Sequence, residues 1–136
     1  MPLLADKTIT VRNLRYDPET DTEVEITTRL EGCSVHAKTV ANATADGLAA
    51  ASLAQIRIFA GHTLAATQSA SETPVPADDK FLAPAAWVAQ SAAAAADTWT
   101  LRPGDNIEYQ GQRMTILAVH DNRGARRNPH WYVEAH

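Results

Sequence analysis

The sequence predicts a mainly β fold, a small antiparallel β-barrel or sandwich of about six to seven strands. One short helix near 84–94 and a long loop at 61–80 complete the expectation. Three observations carry it. Polar and apolar residues alternate in several short runs, the period-two mark of a half-buried strand. The C-terminal stretch 97–136 lays out turn, strand, tight turn, strand, charged loop and closing strand in an unbroken course. Only one segment, alanine-rich and opened by Pro84, has helical character.

A chain of 136 residues fits one domain, 1–136, and can bury roughly two-thirds of its unfolded surface. The formal charge of −4 argues against a general nucleic-acid binder, whose footprint is a strongly basic face. The single cysteine, Cys33, cannot close an internal disulfide and reads as a small buried apolar residue. The start MPLLADKTIT lacks a basic, then apolar, signal-peptide pattern, and no apolar run approaches the roughly 20 residues of a membrane-spanning helix. These features lead to the expectation of a soluble protein from a reducing compartment.

Taken in order, Thr8-Ile9-Thr10-Val11-Arg12 is a strand, and 15–21 is rich in turn formers, with Asp17 held extended by Pro18. Glu23 to Leu30 alternates again, with Val24, Ile26 and Thr28 on one face, so the two runs form a hairpin. Glu31-Gly32 breaks the pattern, and Cys33, Val35 and Ala37 resume it. Residues 38–50 are weakly patterned, with Asp46-Gly47 as a turn signal. A strand runs from Ser52 to Phe59. The segment 61–80, with small polar residues, two prolines and Asp78-Asp79, reads as a long loop, functional or mobile and not neutral filler. Trp87 docks the single helix on the sheet. Arg102-Pro103-Gly104-Asp105 is a turn, and Gln110-Gly111 a tight hairpin. Met114, Ile116 and Ala118 on one face, with Leu117 and Val119 on the other, predict a central strand buried on both sides.

No catalytic constellation stands out. His36, His62, His120, His130 and His136 have no metal-ligand spacing, and the approach of His120-Asp121 to His130 is a weak metal signal beside surface histidines. There is no GxSxG, and Cys33 lacks an assigned base. The acidic run 17–25 lacks the glycine and terminal glutamate of a calcium loop, and each turn glycine is isolated. No enzyme activity, metal or cofactor is expected. The candidates that remain are contact residues. Asp121, Asn122, Arg123, Arg126, Arg127 and His130 form a basic loop suited to an acidic protein surface or DNA phosphate. His62, Asp78, Asp79 and Lys80 are candidate contacts of the long loop.

The course Gly104-Asp105-Asn106-Ile107-Glu108-Tyr109, Gly111, Met114, Ile116, Val119, Asp121-Asn122-Arg123-Gly124, then His130-Trp131-Tyr132-Val133-Glu134, resembles the head-closure or stopper connectors of tailed bacteriophages. The opening from Ile9 to Thr20 is similar to the start of phage structural-cassette proteins. The resemblance implies a non-enzymatic virion protein of the neck, assembled in the host cytoplasm. In that role it would form a homo-oligomeric ring, six- or twelve-fold, between a portal or adaptor and a tail-terminator or tail-tube protein. It would help retain packaged DNA, with non-specific DNA contact and no membrane. A tail-terminator or capsid-decorating role is the alternative within that class. A small ligand-binding or hydrolytic β-barrel is the alternative outside it.

Overall fold

The computed structural model describes residues 6–44, 47–67, 75–124 and 128–136, with positions 37–44, 47–52, 67, 92 and 93 described by backbone alone. The strands are β1 (Lys7–Asp17), β2 (Thr22–Thr44), β3 (Gly47–Phe59), β4 (Leu64–Thr67), β5 (Val75–Pro76), β6 (Asn106–Tyr109), β7 (Gln112–Asn122) and β8 (His130–Ala135). Single helical turns α1 (Ala77–Lys80), α2 (Pro84–Val88) and α3 (Ala92–Ala95) lie between β5 and β6. The fold is mainly β, as the alternation predicts, and all strand pairs are antiparallel. Along the sheet the order is β1-β6-β7-β8-β3-β2-β4-β5, and an added β1–β2 pairing closes six of the strands into a ring.

That closure depends on β2 changing partners along its length. From Thr22 to Cys33 it pairs with β1, and from Ser34 to Thr44 with β3. The sequence break expected at Glu31-Gly32 is therefore a bend within one strand and does not end it. Lys7 pairs with Cys33 and Thr8 with Glu31, so Gly32 is the extra residue of a bulge, at φ 90°. Glycine reaches that region without Cβ strain, and a bulge increases local twist. Thr63 fixes the bend: it is fully buried, its Oγ1 donates to the Gly32 carbonyl at 2.8 Å and accepts from the Phe59 amide at 2.9 Å.

The ring interior is filled by the inward residues of each strand. Ile9 and Val11 of β1, Leu30 and Cys33 of β2, Ile56 and Ile58 of β3, Ile107, Ile116, Trp131 and Val133 are essentially without exposure. On the outer face Arg12 ties three strands. Its Nη1 meets Glu25 of β2 at 2.8 Å, and its Nε and Nη2 meet Glu108 of β6 at 3.0 and 2.6 Å. Being partly solvated, these pairs mark register more than they add stability.

Three expectations change. The strand β7 is not buried on both sides, because Leu117 is 42% exposed. A register shift between Ile116 and Ala118 switches faces there, so Met114 and Ile116 point inward before it and Val119 packs on the core after it. Apolar residues of both parities are thus used on one face, and a bulge is the only geometry that allows it. The segment 61–80 is not a long loop: β4 pairs with β2, β5 pairs with β4, and α1 follows. Its residues 68–74 lie outside the described set. The helix expected over 84–94 divides into α2 and α3. At the division the Trp87 carbonyl accepts from the Gln90 amide at 3.3 Å, and the Arg15 guanidinium donates to the carbonyls of both Trp87 and Gln90. Ser91 then restarts the coil by accepting from the Ala94 amide at 3.3 Å.

Other expectations hold. Trp87 is fully buried and packs α2 against Ile26, Ala95 and Leu82. The 102–105 turn closes through Asp105 N to Arg102 O at 3.2 Å, with Gly104 at φ 93°. Strand pairing now covers 38–44 and 47–50, which alternation alone did not mark. Of the turn expected at Asp46-Gly47, Asp46 lies outside the described residues.

Replacing Gly32 with alanine places a Cβ in the left-handed region at the bend and is expected to cost about 1–2 kcal/mol. A lowered urea midpoint with unchanged slope is the readout; an unchanged midpoint would mean that the bend does not need glycine.

Candidate functional site

The sequence-derived contact residues come from two segments far apart in the chain, and the fold places much of both on one rim of the ring. β7 ends at Asn122, which pairs with His130 at the start of β8, and His130 pairs in turn with Phe59 at the end of β3. The Phe59 ring is in contact with both histidines, its centroid 6.0 Å from that of His130 and 6.3 Å from that of His62. The return of the loop is anchored by Ala60 N donating to Pro129 O at 3.0 Å. Nδ1 of His130 hydrogen-bonds the Asn128 carbonyl at 2.7 Å. Asp78 accepts from the Gly61 amide at 3.2 Å, which holds α1 at the same rim.

Arg123 is the centre of this surface, and it is not a free positive charge. Its Nε donates to both oxygens of Asp121 at 2.9 and 3.1 Å, and its Nη2 donates to Oδ2 at 2.6 Å. The flat face of the guanidinium lies 4.9 Å from the Phe81 ring centroid and 4.8 Å from that of Trp131. Hydrogen bonding from Arg123 holds the Asp121 carboxyl below its usual range, and the same bond raises Arg123, with Asp78 adding to the field. The loop is therefore less basic at this point than its sequence implies. Arg126 and Arg127 lie outside the described residues, so the remaining positive charge of the segment is known from sequence alone. Lys80 turns to Asp97 at 3.0 Å, and Asp79 is exposed on α1.

Beneath Arg123 is an aromatic stack that sequence reasoning did not find. Phe81 is 5.0 Å from Trp99 and 4.7 Å from Trp131, and the two indoles are 5.4 Å apart. Trp99 Nε1 donates to the Ala77 carbonyl at 2.9 Å, which fastens α1 to the stack. The only sequence signal was three aromatics of unknown spatial relation, and nothing in their spacing pairs 81 with 99 and 131. Beside the stack is a cleft of about 370 Å³ lined by Phe81, Pro84, Leu101, Pro103, Trp131 and Asp121, among others. A second cleft, about 290 Å³, lies at Val35, Leu53, Tyr109, Met114 and His136.

Sequence reasoning also missed a buried polar network. Asn13, fully buried on β1, donates from Nδ2 to Thr100 O and to Asp105 Oδ2, both at 2.9 Å. The Thr100 amide donates back to Asn13 Oδ1 at 3.2 Å. Arg102 grips the same carboxylate at 2.8 and 3.0 Å and donates to the Leu14 carbonyl, while stacking 5.0 Å over Trp87. These contacts satisfy a buried charge, which is what its burial requires. They are structural.

Cys33 is fully buried, and burial pushes its thiol from 9.0 up to about 12, with a Thr63 hydrogen bond pulling weakly the other way. A thiol so held is a poor nucleophile. Among the described residues no three His, Cys, Asp or Glu side chains are grouped to hold a metal ion. Among them, too, no helix is long and apolar enough to cross a membrane.

A family model described as a family of unknown function, DUF6751, matches residues 4–136. The chain belongs to this family. No curated protein matches it. No solved structure matches it. The match runs through both the ring of strands and the rim.

Three outcomes follow for this DUF6751 chain. Asn13→Ala takes one hydrogen bond from the Asp105 carboxylate, leaving it to Arg102, and removes the side-chain partner of the buried Thr100 amide and carbonyl; it is expected to cost about 1–3 kcal/mol by denaturant titration. Arg123→Ala uncovers the aromatic stack, so Trp131 emission shifts to the red while the fold is kept. For Cys33 the folded value lies above the unfolded one, so its contribution is fully present below about pH 9 and is lost as pH rises towards 12. Stability of the native chain minus that of Cys33→Ala should decline across that window; a flat difference would contradict it.

Proposed function

We propose that the chain is a non-enzymatic structural protein of a tailed-phage virion, a head-closure or stopper-type component of the neck. In this reading it forms a homo-oligomeric ring between portal or adaptor and tail, and helps retain packaged DNA. The observation that carries it is the course from Gly104 to Glu134, which resembles that of such connectors. Support comes from how that course is laid out: hairpin β6–β7, a charged loop, and β8 on a closed ring of strands. A closed six-stranded ring within each subunit, carrying charged groups at one rim, suits a geometric mechanism in which weak contacts between neighbouring subunits are multiplied when the oligomer closes.

The rim is the surface assigned to the neighbouring layer. Asp121, Arg123, His62 and Asp78 present fixed charge and hydrogen-bonding groups there, and Arg126 and Arg127 add the cationic part of its sequence. Mixed charge of this kind favours a protein partner over naked DNA, and it sets association rate and register more than affinity. A second reading, a small ligand-binding or hydrolytic β-barrel, draws on the cleft of about 370 Å³, whose lining includes Trp131, Phe81 and the single carboxylate Asp121.

Mass spectrometry of purified virions tests the first reading. The chain is expected there in multiple copies per particle, and its absence would overturn the assignment. Reversing charge at Arg126→Glu with Arg127→Glu should leave the fold intact and weaken docking to the adjoining layer, most visibly at low salt.

A further inference from the structure

Beyond the ring, β2 and β3 continue as a two-stranded arm. The partner of β3 on its other side, β8, runs only along Ala54 to Phe59, and the β1 and β4 pairings of β2 end at Cys33 and Glu31. Among the described residues, 38–44 of β2 and 47–53 of β3 therefore pair with each other and with nothing else. Each leaves one full edge of backbone N–H and C=O groups open.

Open edges are usually blunted by charge, proline or covering elements. Here the two segments read KTVANAT and GLAAASL, with one charged residue, Lys38, and no proline. An isolated two-stranded ribbon is at best marginally stable in water. The arm has the form of a strand pair that gains its stability from a third strand.

We propose that this arm is a self-assembly site, at which the open β3 edge of one copy pairs with the open β2 edge of the next. A second copy of this chain is the occupant for a geometric reason. Within the arm, β3 already pairs antiparallel with β2, from Ala54 opposite Ala37 to Gly47 opposite Thr44. Two arms set side by side repeat that antiparallel relation, β2-β3-β2-β3, with the same two sequences facing each other. Each copy then uses both of its edges. A two-fold β3–β3 contact would leave the β2 edges open, whereas the head-to-tail contact propagates from copy to copy, as formation of a subunit ring requires. The inference rests on the ring reading above and names the surface that makes the ring. The rim of Arg123 and His130 is left free for a different partner.

Hydrogen exchange and light scattering on the purified full-length chain, over a range of concentrations, test it. The expected result is a rise in mass above the 14.7 kDa monomer, accompanied by slower exchange in 38–44 and 47–53 and not at the rim. Two adjacent variants, Ala49→Pro and Ala50→Pro, complete the test, because successive amides of a strand face opposite edges. At least one of them removes a donor from the open edge, and it should abolish association while keeping the native circular dichroism. The proposal is overturned by a monomer at all concentrations, whether its arm amides exchange freely or are already protected. It is equally overturned by association that protects only the rim, or that survives in both folded proline variants. If neither variant folds, the exchange data decide. Presence in virions is a separate readout: a chain found in virions with no arm protection sinks the arm and keeps the connector, and the reverse result does the opposite.

Discussion

The architecture depends on one backbone constraint, the left-handed bend at Gly32. A single long strand cannot pair along β1 and then along β3 unless its direction changes between them. The bulge at Gly32 provides that change, and Thr63 holds it from both sides by bonding Gly32 and Phe59. Without it β2 could not pair with both β1 and β3, and the six strands would stay an open sheet instead of closing. The bulge at Leu117 does the matching work on the far side, where β7 passes from β6 to β8. Ring closure is thus set by two irregularities, placed where strands exchange partners.

With the ring closed, the remaining segments are held to its surface by arginines. Arg15 and Arg102 stand over Trp87 at 5.7 and 5.0 Å and bond backbone carbonyls of α2 and of β1. Arg123 does the same for the aromatic stack at the rim. Arginine suits this position because its flat, weakly hydrated face packs on a ring while its edge satisfies acceptors. The consequence for function is that the most conspicuous cation of the basic loop is already committed. What the described part of the rim offers a partner is a mixed-charge surface.

Rim and arm are distinct surfaces in strand terms: one is built on the β3, β7 and β8 ends, the other on the free half of the β2–β3 pair. A protein that must contact its own copies and also a different neighbour needs two such surfaces. That economy links the proposed connector role to the proposed arm without making either depend on a pocket or a catalytic group.

The sequence by itself determined the β class, the position of the C-terminal hairpin and closing strand, the 102–105 turn, and the burial of Trp87. All of these rest on short-range signals: alternation, turn chemistry, and an apolar residue of large area. It also marked Glu31-Gly32 as a break in the alternation that resumes at Cys33, but not as a bend inside one strand, because a glycine among alternating residues reads alike in both cases. Tertiary structure alone decided the rest. The pairing of Asn13 with Asp105, the joining of Phe81, Trp99 and Trp131, and the neutralisation of Arg123 by Asp121 against that stack involve groups whose meeting depends on how strands close in space. The hydrogen bonds from Arg15 to the Trp87 and Gln90 carbonyls, where the helix divides, likewise join groups some seventy residues apart in the chain. Local pattern records which face a residue prefers; only closure of the ring decides which residue it meets there.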